Sequence, residues 1–220
     1  LTGVARLLAR ARALDGVTLG EVAAAHGVGV PADLRRRKGW VGELIERELG
    51  VENAGAGPDF PELGVELKTV PVDAAGAPLE STWVGVVDLE SRDWSRSRTR
   101  AKLTRVLFVP VSGRGAPGGR VIGRAVLWEP DPVDEQVLRT DWEEHVEVLA
   151  LGEHWQVDAR RGVALQMRPK AARGADTHWT LDDEGEWART QPKGFYLRRA
   201  FVRRILAGGA SPVDRGASPD

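Results

Sequence analysis

Apolar residues at helical spacing open the chain: Leu7, Leu8, Ala11 and Leu14 fall on one face of a first predicted helix. Thr18-Leu-Gly-Glu21 has the Ser/Thr-x-x-Glu form of a capping box and predicts a second, short helix ending near Gly27. Beyond Pro31, GWVGELIERELG predicts a third helix, with Trp40, Val41, Leu44 and Ile45 as its buried stripe and Leu49 at one edge. At about 100° per residue, Glu43 and Glu46 lie roughly opposite the middle of that stripe. Glu48 falls within it, where the simple pattern has no place for a charge; fraying of the helix before Gly50 is the expected reason.

The period then changes. After a turn at 55–58, the segments GVELKTV, STWVGVVDL and RVLFVPV read as strands. SGRGAPGGR is a Gly-rich hairpin loop that lacks the Gly-Lys-Ser/Thr ending of a phosphate loop, and 121–128 is a further strand. Asp131-Pro132 fits an N-cap and first helical residue, opening a helix that carries Leu138, Trp142 and Leu149 and stops at Gly152. Short strands at 155–157 and 163–167, an irregular stretch, the strand GFYLRR and a last helix at 199–206 follow. Residues 208–220 have the composition of a tail with little order. Helices first, then mostly antiparallel-looking strands, then mixed elements, predict an α/β or α+β chain. At 220 residues it is long enough for one domain with two lobes over 1–207.

Composition narrows the chemistry. The chain has no cysteine, which excludes disulfides, zinc-thiolate sites and thiol catalysis, and its four histidines show no metal-ligand spacing. Any catalytic metal is therefore a hard cation on carboxylate and carbonyl oxygens. No run approaches the ~18 apolar residues of a membrane span and no signal-peptide pattern is seen, so a cytoplasmic protein without a membrane partner is expected. The net charge is −1, from 31 basic and 32 acidic residues, but the charge is segregated. Residues 92–105 hold six basic residues against Asp93, 193–204 hold five and no acid, and 35–38 are basic throughout. Eight acids crowd into 129–147. Single charge runs are usually solvated faces; three basic segments in one chain point to a polyanion.

PDFPELGVELK carries the most chemistry. Residues two apart share a strand face, so Glu66 and Lys68 point the same way, about 6.6 Å apart. Asp59 lies across the turn at 61–64. Two carboxylates able to converge, with a lysine beside them, suit metal-dependent phosphodiester hydrolysis. A divalent ion on Asp59, Glu66 and the Leu67 carbonyl would polarise the phosphate and acidify an attacking water. Lys68 would orient that water or neutralise charge building on the phosphate oxygens. Asp-(x)6-Glu-x-Lys alone arises by chance in many chains; its place between a carboxylate-bearing helix and a basic run is what raises it.

The segments KGWVGELIERELG, PDFPELGVELKTVPVD, GAPLESTWV, RAKLTRVLFVPV, LQMRPKAA and PKGFYLRRAF, in this order, resemble the MutH family of DNA mismatch-repair endonucleases over roughly residues 14–201. Residues 113–120 and 173–189 are least alike. The resemblance implies a restriction-endonuclease-like fold, a mixed central sheet flanked by helices with two lobes around a DNA cleft. It implies Mg²⁺-dependent nicking of the unmethylated strand at hemimethylated GATC sites in double-stranded DNA, 5′ to the G. It also implies activation by MutL, itself recruited by MutS. By position it makes Asp59 and Glu66 metal ligands and Lys68 the catalytic lysine. It selects Glu46, which periodicity does not distinguish from Glu43, as the helix glutamate serving the site. It makes Lys102 a lysine near the scissile phosphate, where a plain phosphate contact is the competing reading. Arg168, Lys170 and Tyr196 fall where the family reads DNA and senses methylation. Arg and Lys can donate to guanine O6 and N7, and Tyr196 offers an aromatic edge to a methyl on adenine N6; a core ring is the alternative for Tyr196. Trp83 lies where relatives can carry another aromatic, which leaves a DNA role there doubtful. One copy of the motif, with no internal repeat, fits a monomer that nicks. A restriction-type endonuclease cutting the same site and a non-catalytic DNA-binding module are the alternatives.

Overall fold

Local sequence closes the helices of the N-terminal third. The Thr2 hydroxyl accepts from the Ala5 N–H, and Thr18 and Glu21 form both halves of the predicted capping box. The structure, a computed structural model, describes residues 2–51, 57–87, 92–151, 159–169, 178–181, 187–190 and 193–208. In chain order these form α1 (Gly3–Arg12), α2 (Leu19–Ala25), α3 (Trp40–Leu49), β1 (Glu66–Val72), β2 (Thr82–Val86), α4 (Arg98–Leu103), β3 (Val106–Ser112) and β4 (Val126–Trp128). Then come α5 (Pro132–Ala150), β5 (Leu165–Pro169), β6 (His178–Leu181), β7 (Trp187–Thr190), β8 (Lys193–Leu197) and α6 (Arg199–Gly208). No helix among the described residues is long and apolar enough to cross a membrane.

The chain divides into two compact units, Leu1–Glu80 with Thr104–Glu129 and Val202–Asp220, and Ser81–Leu103 with Pro130–Phe201. The first holds a mixed sheet in the order β1-β3-β4, with β1 and β3 parallel and β3 and β4 antiparallel. The proline of β1, Pro71, sits where the ladder needs no donor. Glu66 N–H bonds Arg105 O, so Glu66, Lys68 and Val70 turn their backbone groups toward β3, while Leu67, Thr69 and Pro71 turn theirs to the outer edge. α1, α2 and α3 bury Leu7, Leu8, Leu19, Trp40, Leu44 and Ile45 in one core with Leu67, Leu107 and Val109 of the sheet.

The second unit has an antiparallel sheet β2-β8-β5, with a bulge between Trp83 and Gly85, and a hairpin of β6 and β7. One face of β2-β8-β5 is apolar: Val84, Leu165, Met167, Phe195 and Leu197 are all buried.

Four expectations change. Glu48 is not at a frayed end: α3 runs on to Leu49, and Glu48 Oε2 meets His26 Nε2 at 2.6 Å, so a partner on the α2 cap explains a carboxylate in the stripe. The strand expected at 121–128 shrinks to β4, because Ile122 instead exchanges hydrogen bonds with Gly16 and Val17. The basic run 92–105 contains α4, whose pattern is too short to read, since it buries only Thr99 and Leu103. The irregular stretch contains the β6–β7 hairpin. The strand at 155–157 and residues 209–220 of the tail lie outside the described residues; Gly208, placed in the tail, closes α6.

Candidate active site

β1 builds the centre of the site. Its alternation sends Leu67 into the core of the first unit and turns Glu66 and Lys68 to the other face. Lys68 Nζ donates to Glu66 Oε1 at 2.6 Å, and Glu66 is 1% exposed, so the lysine is the counter-charge that makes burial of this carboxylate tolerable. Asp59 arrives by a tight return: Phe60 and Val65 bridge across a single 3₁₀ turn at Pro61–Leu63. Arg105 fixes that turn, donating to the Leu63 carbonyl while pairing with Glu129. The Asp59 carboxylate then accepts the Leu67 N–H at 2.7 Å. Because Leu67 N–H and C=O leave the strand on the same side, its carbonyl is aimed at the edge where Asp59 sits.

Glu46, on α3, belongs to the same electrostatic neighbourhood. Burial holds its carboxyl above the ordinary range, with the charges of Asp59, Glu43 and Glu66 adding to the rise and Lys68 opposing it. Its Oε1 lies over Gly42, close to Thr69 of β1. The geometry thus separates Glu46 from Glu43, which periodicity does not. Asp59, Leu67, Glu66, Lys68 and Glu46 all sit within the first unit.

The donors fit a hard divalent ion: two carboxylates and a carbonyl, all oxygen. No group of three acidic or imidazole side chains among the described residues forms a ready metal cage. The remaining positions would be filled by water and phosphate oxygen, the coordination a small cation such as Mg²⁺ favours.

The other predicted residues belong to the second unit. Lys102 lies on α4, its aliphatic stem beside Gly85 of β2. Tyr196 lies on the polar face of β2-β8-β5, cross-strand from Gln166 and Trp83. The Trp83 ring meets it edge-on at 5.0 Å, and the Arg168 guanidinium stands 5.8 Å from its centroid while donating to Ser81 Oγ. Lys170 lies outside the described residues. Trp83, for which the sequence offers no clear role, packs against both Tyr196 and Gly194. Its ring covers Gly194 so closely that a Cβ there would fall 2.0 Å from it. The Gly-Phe-Tyr order was the available signal, because only glycine leaves that space. Tyr196 is therefore neither the core ring of the alternative reading nor an isolated side chain.

Not every basic residue of the three runs is available to a polyanion. Arg100 pairs with Glu135, Arg105 with Glu129, and Arg35 with Asp33. Arg198 is spent on the carbonyls of Ala159, Arg160 and Arg161.

Comparison with known proteins follows the same residues. The family model described as DNA mismatch repair enzyme MutH matches residues 51–141, which contain Asp59, Glu66, Lys68 and Lys102. The DNA mismatch repair protein MutH of Shewanella baltica strain OS155 is 49% identical over 207 residues, covering 91% of this chain and 92% of that protein. The proteins of the same name from Shewanella sp. strain ANA-3 and Shewanella oneidensis are each 47% identical over 210 residues, covering 92% of this chain and 94% of theirs. With identity of this order running through both units, the chain belongs to the MutH family of DNA mismatch repair enzymes.

Proposed function

We propose that this chain is the Mg²⁺-dependent nickase that cuts the unmethylated strand of hemimethylated GATC duplexes. In this reading it works as a cytoplasmic monomer loaded by MutL, with MutS upstream, and residues 1–207 act as one restriction-endonuclease-like domain whose two lobes border the DNA. As a member of the MutH family it is a DNA endonuclease of mismatch repair, and nucleases of this kind use a divalent metal. The observation that carries the finer reading is the edge of β1. There one carboxylate is fixed on the Leu67 N–H, a second is buried against Lys68, and a backbone carbonyl faces the same way.

A Mg²⁺ ion held by Asp59, Glu66 and the Leu67 carbonyl would supply Lewis-acid polarisation of the scissile phosphate and a more acidic water. The protein's part is positioning. Asp59 is locked to the strand, so the two carboxylates keep a fixed spacing without side-chain reorganisation. The Lys68 ammonium, oriented by Glu66, faces the place where negative charge builds on the phosphate oxygens as water adds and the bond to the 3′ oxygen breaks. That oxygen leaves with a proton from solvent. Glu46 serves the site from α3, and Lys102 approaches the scissile phosphate. Arg168 and Lys170 donate to guanine edges, and Tyr196 meets the adenine N6 position, where a methyl group would push against the ring.

Incubation with unmethylated, hemimethylated and fully methylated GATC duplexes plus Mg²⁺, scored for strand-specific nicks, tests this. The unmethylated strand should be nicked and the methylated strand spared. Asp59→Ala, Glu66→Ala and Lys68→Ala should be inactive while still binding DNA, because these groups act in the reaction more than in docking. Equal cutting of both strands of hemimethylated DNA, or near-normal activity of either carboxylate variant, overturns the reading. Arg168→Ala should lose GATC preference by roughly 1–3 kcal/mol.

A further inference from the structure

A cavity of about 590 Å³ opens beside Asp59 in the first unit, between the start of α1 and the C-terminal end of α3. Arg6 and Arg10 line it, as do Asp59, Gly50, Glu62 and Leu63. The two arginines are one helical turn apart, on one side of α1. That helix has no acidic residue to offset them. Arg6 takes part in none of the ion pairs among the described residues. Arg10 donates from Nη2 to the Glu48 carbonyl at 2.8 Å, which fixes its guanidinium at the cavity without cancelling its charge. Two like charges at this spacing cost a helix stability unless an anion lies between them. The Glu48 carbonyl offsets this in part for Arg10, whereas Arg6 has no ion pair of its own among the described residues.

We propose that the Arg6–Arg10 cavity is a phosphate site for the DNA strand being cut, holding a backbone phosphate next to the one at Asp59. This rests on the nickase reading above, which puts the scissile phosphate at the β1 edge; a continuous strand leaving that point must pass one side of Asp59. Guanidinium forks match phosphate oxygens in geometry and charge, and a phosphate contact fixes register without reading sequence. Glu62 is the one carboxylate in the cavity that the catalytic arrangement does not use, and it opposes the anion.

The test is binding of GATC and scrambled duplexes by the full chain across a salt titration, with Ca²⁺ replacing Mg²⁺. Neutralising one phosphate contributes about 0.9 to the slope of log K against log salt. Arg6→Gln/Arg10→Gln should lose about that much slope and bind about fivefold more weakly at physiological salt. The loss should be equal on both duplexes. Arg6→Lys/Arg10→Lys should keep the slope, and Glu62→Gln should tighten binding. Arg6→Gln alone removes no hydrogen bond or ion pair among the described residues, so a smaller loss of slope in that variant tests the site even if the double variant is unstable. An unchanged slope in both overturns the proposal, as does a loss confined to GATC. Titration with inorganic phosphate at constant ionic strength, read by NMR of the arginine side chains, adds a second outcome. Shifts with free phosphate but none with duplex assign the cavity to a free anion and also overturn the proposal. If the wild type shows no strand-specific nicking, the nickase reading fails, whereas the slope on scrambled duplex still reports on the cavity.

Discussion

Glu66 and Lys68 show how a strand can carry a buried charge: alternation puts both on one face and the 2.6 Å contact compensates them locally. Glu46 has no such ion-pair partner among the described residues, and its carboxyl is held up by burial and by the charges of Asp59, Glu43 and Glu66. The sign for stability follows. A carboxyl whose native pKa is raised favours folding below its ordinary value of 4.5, and that contribution is lost as pH rises through the native value. At neutral pH the ionised side chain therefore costs stability in metal-free protein. Glu46→Gln should melt higher than wild type at pH 7 in EDTA, and the gap should close as pH falls below 4.5. Melts at a series of pH values decide this; a constant gap would remove the electrostatic account of Glu46.

At the scale of elements, α5 and the residues just before it account for the eight acids of 129–147. Several of these acids are structural. Glu135 accepts from Trp94 Nε1 and Arg100, and Asp131 caps the helix on Val133 and Asp134. Asp141, 3% exposed, accepts the N–H groups of Val163, Ala164 and Leu165 and so starts β5. Gly162 permits the approach: its φ is +85°, and a Cβ there would fall 1.9 Å from the Leu165 carbonyl. Asp141→Ala should cost roughly 3 kcal/mol, since buried N–H groups would lose a charged acceptor. Chemical denaturation followed by tryptophan fluorescence measures it, and a loss below about 1 kcal/mol would contradict the capping role. One turn on, His145 is buried against Phe195, and its Nε2 has no hydrogen-bond partner among the described residues. Burial pushes its pKa below the ordinary 6.5, while the Leu165 backbone and the charges of Asp141 and Glu144 pull the other way and Arg161 adds to the fall. The stability that neutral His145 contributes is present above 6.5 and lost as pH falls through its lower native value. The melting midpoint should drop across that window, and His145→Leu should flatten the drop; an unaltered pH profile would exclude His145 as its source.

For the whole molecule, charge decides how DNA is met. A net charge of −1 gives no long-range attraction, and internal pairs with acids consume Arg35, Arg100 and Arg105. Binding then rests on local phosphate contacts, which weaken as roughly the 0.9Z power of salt. The isolated protein should nick poorly at physiological salt, and stimulation by ATP-bound MutL should be large there and small at low salt. Nicking rates on a GATC plasmid with and without MutL across a salt series test this. Equal basal rates at both salts, or no gain at high salt, would favour the restriction-type alternative.

Local pattern alone determined the three N-terminal helices, β1, β3, β8 and the N-cap of α5. There the apolar period, caps and prolines agree, and each acts within a few residues. It also determined that Glu66 and Lys68 share a face. Tertiary structure decided the rest, because those choices depend on partners far away in sequence. His26 made Glu48 acceptable in a buried stripe, and the Val17 loop drew 121–125 out of a strand. Burial first, and then the charge of Asp59, set Glu46 apart on a helix where Glu43 lies at a nearly equivalent position. Trp83 found its place only when Gly194 and Tyr196 arrived from the other end of the chain. Period and capping read neighbours along the chain; burial and charge compensation read neighbours in space, and no local pattern contains those.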